Sequence, residues 1–485
     1  MSERKPVLLV NTNRMMPPIA PVGLDYVAED VTRTGLAVEV ADLVLSENPT
    51  AELEDRVVGY QPSLIGLTFR NVDDCFWPSG RSFLPELELQ IRAIREWTDA
   101  PIVLGGVGFS IFAKAIVRRT GVDFGVLGDG EVAIPALMRA LEGASSLANV
   151  PGLIWRDGER LHTNPPAWPA KLDVPTGRSS IDNATYFRRG GQIGLETKRG
   201  CDRACIYCAD RLAKGTRTRL RPPVHVADEV ESLLRQGVDV LHLCDAEFNI
   251  PGDHALAVCE ELIRRDLGQR VRWYAYLAVL PFDDALAERM AAAGCVGINF
   301  TGDSASDRML SIYRQPHRAA DLAKAVKLCR RHEIAVMIDL LLGGPGETPE
   351  SVAETIQFVD QLEPDCVGAG LGVRIYPDTP VADMVIEQGW TSRAHGIRRR
   401  YDGPLDFLEP TFFISPELGE QPALLVRDLI SDNPRFFPPE LEAPATEAKA
   451  SGQDHNYNDN KILVDAISAG ARGAYWHILH ELRAP

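Results

Sequence analysis

The sequence predicts an α/β protein in three parts: a doubly wound, Rossmann-like N-terminal domain, a partial (β/α)6 barrel of the TIM type, and a mainly helical C-terminal cap. Three observations predict it. From residue 6 to about 140, short apolar runs alternate with helical patterns, the rhythm of a parallel sheet with crossover helices. A second alternating series starts near residue 191 and runs through six strand–helix units to about residue 380. Beyond residue 381 that rhythm fades into aromatic-rich and polar segments. The expected division is 1–145, a linker 146–190, 191–380, and 381–485.

In the first part, PVLLVNTN reads as a strand and Gly23–Arg33 as the helix after it. LAVEVADL is the second strand, Ala51–Gly59 a helix, and SLIGLTF the third strand. Helix Glu86–Trp97 leads to PIVLGG, and helix Phe112–Arg119 leads to DFGVLGDGE. Ligands of such sheets sit beyond the carboxyl ends of the strands. The unusual residues collect there: Asn11–Asn13, Thr68–Asn71 with Arg70 among them, Gly105, Gly106 and Gly108, and Gly128–Glu131. Glycines let backbone approach a bulky ligand. One glycine-rich turn is common in αβ connections; several at one sheet edge say more.

The linker is rich in Pro, Gly and Ser and carries a hairpin signal at LIWRDGERL. GQIGLETKRG is the strand that feeds the next series. Helix HVADEVESLLRQG, strand VLHLCD, helix His254–Arg265, strand VRWYAYL, helix Asp283–Ala293 and strand GINFTG follow. Helix Ala319–Arg331, strand AVMIDLLLG, helix Pro349–Gln361 and strand CVGAGLGVRIYP complete it. Polar residues and glycines recur at the strand ends: Asp245, Glu247 and Asn249; Thr301 and Asp303; Gly343 to Glu347, with Arg314 nearby. Singly, each reads as a helix cap. Their repetition at successive strand ends points to a bound ligand.

The run RGCDRACIYCAD holds Cys201, Cys205 and Cys208 at spacing C-x3-C-x2-C. Three thiolates so spaced can hold three irons of a four-iron, four-sulfur cluster. Fully ligated clusters take four cysteines, and a structural zinc site also closes with four ligands. The missing fourth leaves one iron open to a small molecule. Three neighbouring buried cysteines, or a zinc site completed by a distant histidine, are the plainer alternatives. Cys75, Cys244, Cys259, Cys295, Cys329 and Cys366 are scattered singly among apolar neighbours and read as small buried hydrophobes.

Composition bounds the rest. At 485 residues, 45% hydrophobic and 25% charged, this is an ordinary globular chain with room for two or three domains. No apolar run is long enough to span a membrane. MSERKPVLLVNTN lacks the apolar segment and cleavage site of a secretory leader, so a cytoplasmic location is expected. The net charge of −17 argues against a nucleic-acid partner. Arg188 to Arg221 runs the other way, with ten Lys or Arg against three acidic residues. That is either a solvated basic loop or counter-charge for an anionic ligand.

The cysteine spacing, with aromatic Tyr207 before the third cysteine, resembles the radical S-adenosylmethionine (SAM) superfamily, in which SAM chelates the open iron. PPIAPVGLDYVAEDV, VLGG and VDFGVLGDGE resemble the cobalamin-binding domain fused to many of those enzymes. AEFNIP, INFTGDSASDRML, LLLGGPGETPESV, VRIYPDTPVA, NYNDN and RGAYW are similar to the same branch, and the likeness covers most of residues 1–390. It implies a 4Fe-4S cluster on Cys201, Cys205 and Cys208. It implies SAM held by Tyr207, Asp245, Glu247, Thr301, Asp303, Arg314, Gly343 and Gly344. It implies cobalamin against Asn13, Thr68, Arg70, Asn71, Gly105, Gly106, Gly128 and Glu131.

One departure is informative. Many cobalamin domains ligate cobalt from below with the histidine of Asp-x-His-x-x-Gly, but the first histidine here is His162. Composition excludes that ligand. Arg70 is the candidate for the lower face; a guanidinium has no lone pair to donate, so it would block water without ligating. The alternative for Arg70 is a surface salt bridge to Asp73 or Asp74. The C-terminal part, with Arg398 to Arg400, EPTFFISPE and NPRFFPPE, is expected to cap the barrel mouth and shape the substrate pocket. APATEAKASGQDHNYNDN is expected to be a flexible loop.

The resemblance implies a C-methyltransferase that moves a methyl from SAM through methylcobalamin to a carbon of a small-molecule or peptide substrate. A flavodoxin- or ferredoxin-like protein would supply electrons. Cyclisation or rearrangement without methyl transfer, and a non-enzymatic corrinoid-binding or electron-transfer role, are the competing expectations. An RNA methylthiotransferase needs a second cluster, and the first domain has only Cys75.

Overall fold

A computed structural model describes residues 6–442 and 455–483. Strand β1 (Val7–Asn11) is buried along its whole length, as a strand covered on both faces must be. It pairs in parallel with β2 (Val38–Asp42) on one side and β3 (Leu64–Thr68) on the other. Then come β4 (Ile102–Gly105) and β5 (Phe124–Val126), giving the parallel order β2-β1-β3-β4-β5. Helices Val22–Arg33 and Gly130–Leu141 cover one face, and helices Pro49–Tyr60, Leu84–Trp97 and Ala113–Thr120 belong to the other. Helix Gly130–Leu141 had no counterpart among the expected elements.

The hairpin is found, as β6 (Leu153–Asp157) and β7 (Arg160–Thr163), but it is not a free linker feature. It adds antiparallel to β5 and extends the first sheet to seven strands. Burial explains this: Leu153 and Ile154 are fully buried and need a sheet to cover them.

The second sheet starts at β8 (Ile193–Leu195), after which β9 (Lys198–Arg199) and β10 (Arg219–Leu220) form a two-stranded clasp around the cysteine loop. β11 (Val240–Leu243), β12 (Arg272–Ala278), β13 (Cys295–Asp303), β14 (Ala335–Leu342) and β15 (Cys366–Leu371) continue it in parallel. That is six strands in sequence order, the open (β/α)6 barrel expected.

The run CVGAGLGVRIYP does not stay in one strand. Gly372, at φ +95, turns it out of the barrel, and β16 (Val373–Arg374) joins β17 (Ile397–Arg399) and β18 (Thr411–Phe413) in a separate three-stranded sheet. β19 (Phe436–Phe437) adds a seventh strand beside β15. The C-terminal part thus mixes this small sheet with helices Pro380–Glu387, Pro422–Ile430, Lys461–Ser468 and Tyr475–Arg483. Of the expected flexible loop, residues 443–454 lie outside the described residues. Residues 455–460 pack at the barrel mouth, with Asn460 capping helix Lys461–Ser468 through its side chain.

The two sheets are joined through a buried ionic hub. Arg178 bonds Asp25 and Glu229, each at 2.7 Å, and Arg221 bonds Glu229 at 2.7 Å. All four side chains are fully buried around Tyr26, whose hydroxyl donates to Glu229 at 2.8 Å. Among the described residues no helix is long and apolar enough to cross a membrane.

Candidate active site

The strand order of the first sheet turns back between β1 and β3, the point where such folds bind ligands. A cleft of about 420 Å³, open on one side to solvent, lies there. Asn13, Thr68, Arg70, Asn71, Gly105, Gly106, Gly128 and Glu131 all line it. Gly106 sits at φ +106 with its missing side chain aimed at the Phe69 carbonyl, 2.8 Å from where a Cβ would be. Only glycine lets the strand end and the following helix close together here.

The opposite wall comes from the barrel: Glu196, Arg199, Ala213, Lys214 and Cys244. Arg199 reaches across to Glu131 at 2.8 Å and Asp129 at 3.2 Å, while its Nε holds Glu196 at 2.8 Å. The basic segment is therefore not a solvated loop throughout: Arg199, Arg219 and Arg221 are buried in ion pairs with the first domain and the barrel. None of these barrel residues was singled out from sequence, although Arg199 and Lys214 stand in the basic run that marked the place.

Among the described residues Arg70 has no salt-bridge partner. Asp73 is taken by Arg374, at 2.9 and 2.7 Å, and Asp74 by Ser79 and backbone N–H groups of Phe76 and Arg81. One terminal guanidinium nitrogen of Arg70 and the side-chain oxygen of Asn71 are buried without a hydrogen-bond partner. Buried donors and acceptors are costly when unmet. Two of them facing an open cleft suit a large, amide-decorated ligand such as a corrinoid.

Across the barrel rim the cysteine loop is braced from below. Asp245 accepts the backbone N–H of Thr197 at 2.8 Å and of Lys198 at 3.2 Å, and the Thr197 hydroxyl at 2.5 Å. Its oxygens serve the loop. Asn249 likewise is spent on Ala278 and Pro281 backbone, and Glu347 on Tyr313, Ser351 and the Gly343 N–H. Gly344 donates its N–H to the Tyr313 hydroxyl at 3.1 Å. Arg314 lies exposed at the end of helix Asp307–Tyr313. The next residue, Gln315, is the one turned inward, donating to Cys205 Sγ at 3.4 Å, the Tyr207 hydroxyl at 3.1 Å and Asp303 at 2.5 Å.

Cys201, Cys205 and Cys208 are unpaired and partly exposed. Burial pushes all three thiols up, Cys205 to about 11, and each of the three lies within electrostatic reach of at least one other. Among the described residues no three His, Cys, Asp or Glu side chains converge as ligands of a single metal ion would. A cluster asks for no such convergence, since each thiolate serves its own iron. Glu247 completes the cup. Its Oε1 accepts the Thr301 hydroxyl at 2.8 Å, its Oε2 is buried without a partner, and burial raises its carboxyl to about 7. Burial likewise lifts Asp303 to about 7, while it accepts the Tyr207 hydroxyl at 2.6 Å.

Inside the barrel, Tyr276 is 40% exposed between buried neighbours, which marks an open lumen. His242 packs beside it, ring centroids 5.2 Å apart. Asn299 and Asp339 stand on the next strands, bonded at 2.8 Å, and His455 and Tyr457 enter from the cap. Asp339 had a sequence signal: it is the one charge in the apolar run AVMIDLLLG.

His242 supplies a pH test. Burial, with Arg70 adding repulsion, lowers its imidazole to about 4. An unfolded histidine takes up a proton as pH falls through about 6.5. Between those values the folded chain binds fewer protons, so this stability term is present above pH 6.5 and drains away toward pH 4. With the ring only partly buried, about 1–2 kcal/mol is lost between pH 7 and pH 5. Denaturant melts at both pH values should show His242→Gln losing that much less than the parent.

Comparison with known proteins fits both halves of this site. The Radical SAM superfamily profile matches residues 195–359, and the B12 binding domain profile matches residues 10–138. The structure of the radical SAM methyltransferase TsrM from Kitasatospora setae, with tryptophan and a SAM analogue bound, is 32% identical with a TM-score of 0.91, covering 98% of this chain and 97% of that one. This chain belongs to the cobalamin-dependent radical SAM methyltransferases. The tryptophan 2-C-methyltransferase of Streptomyces laurentii is 29% identical over 98% of this chain and 96% of its own. The cobalamin-dependent SAM radical enzyme OxsB, at 19% identity and a TM-score of 0.72, shares the fold.

The protein is therefore an enzyme, a cobalamin-dependent radical SAM C-methyltransferase that uses a 4Fe-4S cluster, SAM and cobalamin.

Proposed function

We propose that the substrate is tryptophan, methylated on its indole carbon 2 within the barrel lumen. The observation that carries this is the lumen's lining: Tyr276, His242, Tyr457 and, beside His455, Phe76 present aromatic rings to a space next to Arg70 and Cys244, which line the corrinoid cleft. A flat aromatic substrate stacks or packs edge-on in such a slot. The relatives named for tryptophan add to it. The test is an anaerobic assay of reconstituted enzyme with SAM labelled on its methyl carbon. Label should appear on carbon 2 of the indole; label in no indole compound overturns the reading.

When bound, the cluster and SAM supply the electron and the methyl group, and the corrinoid cobalt carries the methyl to carbon. The chain's own residues hold these groups. Cys201, Cys205 and Cys208 are the cluster thiolates, with Gln315 steadying Cys205. Glu247 and Thr301 would hold the SAM head group, and Tyr207 and Asp303 fix the loop around it. Asn13, Thr68, Asn71, Gly105, Gly106, Gly128 and Glu131 would cradle the corrinoid, and Arg70 would keep water from its cobalt. The first domain spans 1–145 and takes the hairpin β6–β7 from the linker as the edge of its sheet, the barrel spans 191–380 and the cap 381–485. The chain works in the cytoplasm, where nine unpaired cysteines stay reduced, with a flavodoxin- or ferredoxin-like electron donor.

Arg70→Ala separates shielding from general damage. Water admitted beneath the cobalt should change the electron paramagnetic resonance spectrum of the reduced corrinoid from a base-off, four-coordinate form to a water-ligated one. Methylation should fall by about 10- to 100-fold. An unchanged spectrum would remove Arg70 from that role.

A further inference from the structure

The lumen holds a set of polar atoms outside the cysteine loop and the cleft of the first domain. Asp339 is its centre. Its Oδ2 accepts Asn299 Nδ2 at 2.8 Å, and its Oδ1 lies 3.1 Å from His455 Nε2. A carboxylate only accepts, so His455 donates from Nε2 and its Nδ1 is left as an acceptor. Among the described residues that Nδ1 is buried with no partner. So is Asn299 Oδ1, the free end of the amide bonded to the same carboxylate, and so is the Tyr457 hydroxyl. His455 is seated between Phe76 and Tyr457, edge-on to both, at centroid distances of 5.5 and 5.7 Å.

The pairing is built in. A Cβ on Gly368 would stand 2.2 Å from His455 Nε2 and 2.7 Å from Asp339 Oδ1. Any side chain there pushes the histidine off the carboxylate.

Three unmet oxygen or nitrogen acceptors, a half-buried carboxylate behind them, and aromatic rings around them match one kind of group. An ammonium has three donors and no acceptor, and it is attracted by a carboxylate and by ring faces. A carboxylate would meet Asp339 in repulsion, and a neutral ring N–H would satisfy only one of the three.

We propose that Asn299 Oδ1, His455 Nδ1 and Tyr457 Oη form the binding site for the substrate's primary ammonium, with Asp339 orienting the first two. This rests on an aromatic substrate lying in the lumen and deepens that reading by naming its polar end. The enzyme then selects aromatic amino acids and amines over compounds with the same ring but no amino group.

The test is calorimetric titration of the anaerobically reconstituted holoenzyme with matched pairs: tryptophan against indole-3-propionate, and phenylalanine against 3-phenylpropionate. Within the pair that binds, the amine should bind at least about tenfold tighter. His455→Phe keeps the ring packing and removes the acceptor, and Tyr457→Phe removes only the hydroxyl. Each should weaken the amine by about 10- to 100-fold and leave the deaminated acid unchanged. Equal affinity within every pair, or a variant that weakens both members alike, overturns the ammonium site. Amine preference in the phenyl pair with no binding of either indole overturns tryptophan as substrate and keeps the site.

Discussion

Replacing any one of Cys201, Cys205 and Cys208 by alanine should abolish methyl transfer, a loss of at least about 10⁴-fold, together with the protein's iron–sulfur absorption. The size follows from the chemistry: no other side chain on the loop is a thiolate, and no protein group can supply an electron to SAM. The fold should be indifferent. All three cysteines are partly exposed on a loop held at its root by Asp245 and by the β9–β10 clasp, so losing one sulfur touches no core contact. Far-ultraviolet circular dichroism and the melting temperature should match the parent, a change within about 0.5 kcal/mol. Cys75→Ala is the control. Its thiol meets the Tyr376 hydroxyl at 3.0 Å, away from the loop, and its iron content should not change. A Cys205→Ala protein that keeps its cluster and its activity would remove the basis of the whole assignment.

Much of this site was legible because chemistry forces residue types. Three thiolates at fixed spacing, glycines at strand ends, and the lack of any histidine before His162 each speak from the sequence alone. Period alone found both parallel sheets. What failed to show was long-range pairing. That Arg199 spans from the cysteine loop to Glu131, or that Asp245 is spent on Thr197, depends on two sheets meeting face to face, and neither leaves a local pattern. Gln315 shows the limit at one residue. Arg314 has the charge expected of a carboxylate binder, but at φ +61 it ends a helix and points out, so its neutral neighbour faces the sulfurs. His455 was hidden for a related reason: a polar stretch reads as solvated chain until a glycine on a distant strand makes room for it.

The largest expected loss of stability is at Arg178. Its guanidinium is 0% exposed and nearly saturated: Nε to Asp25 at 2.7 Å, Nη1 to Glu229 at 2.7 Å and to the Gly194 carbonyl at 2.8 Å, Nη2 to Asn183 at 3.0 Å. Arg178→Met keeps the stem and removes all of these bonds. Glu229 would still have Arg221 at 2.7 Å and the Tyr26 hydroxyl. Asp25 would have no cation, only the Ser180 N–H at 3.0 Å and a long contact from Asn183. A buried charge stripped of its partner costs about 3–5 kcal/mol, which in a chain of this size lowers the melting temperature by roughly 3–5 °C. Most of that cost sits on Asp25, so adding Asp25→Asn should recover about 1–2 kcal/mol of it, because the neutral amide no longer demands a counter-ion. The hub also ties helix Val22–Arg33, which borders the corrinoid cleft, to β8 and to helix Pro223–Arg235 of the barrel. Loosening it should therefore speed corrinoid loss on gel filtration before any unfolding is seen. If Arg178→Met melts within 1–2 °C of the parent and holds its corrinoid, the two domains are joined by their apolar contact and the ion pairs only fill it.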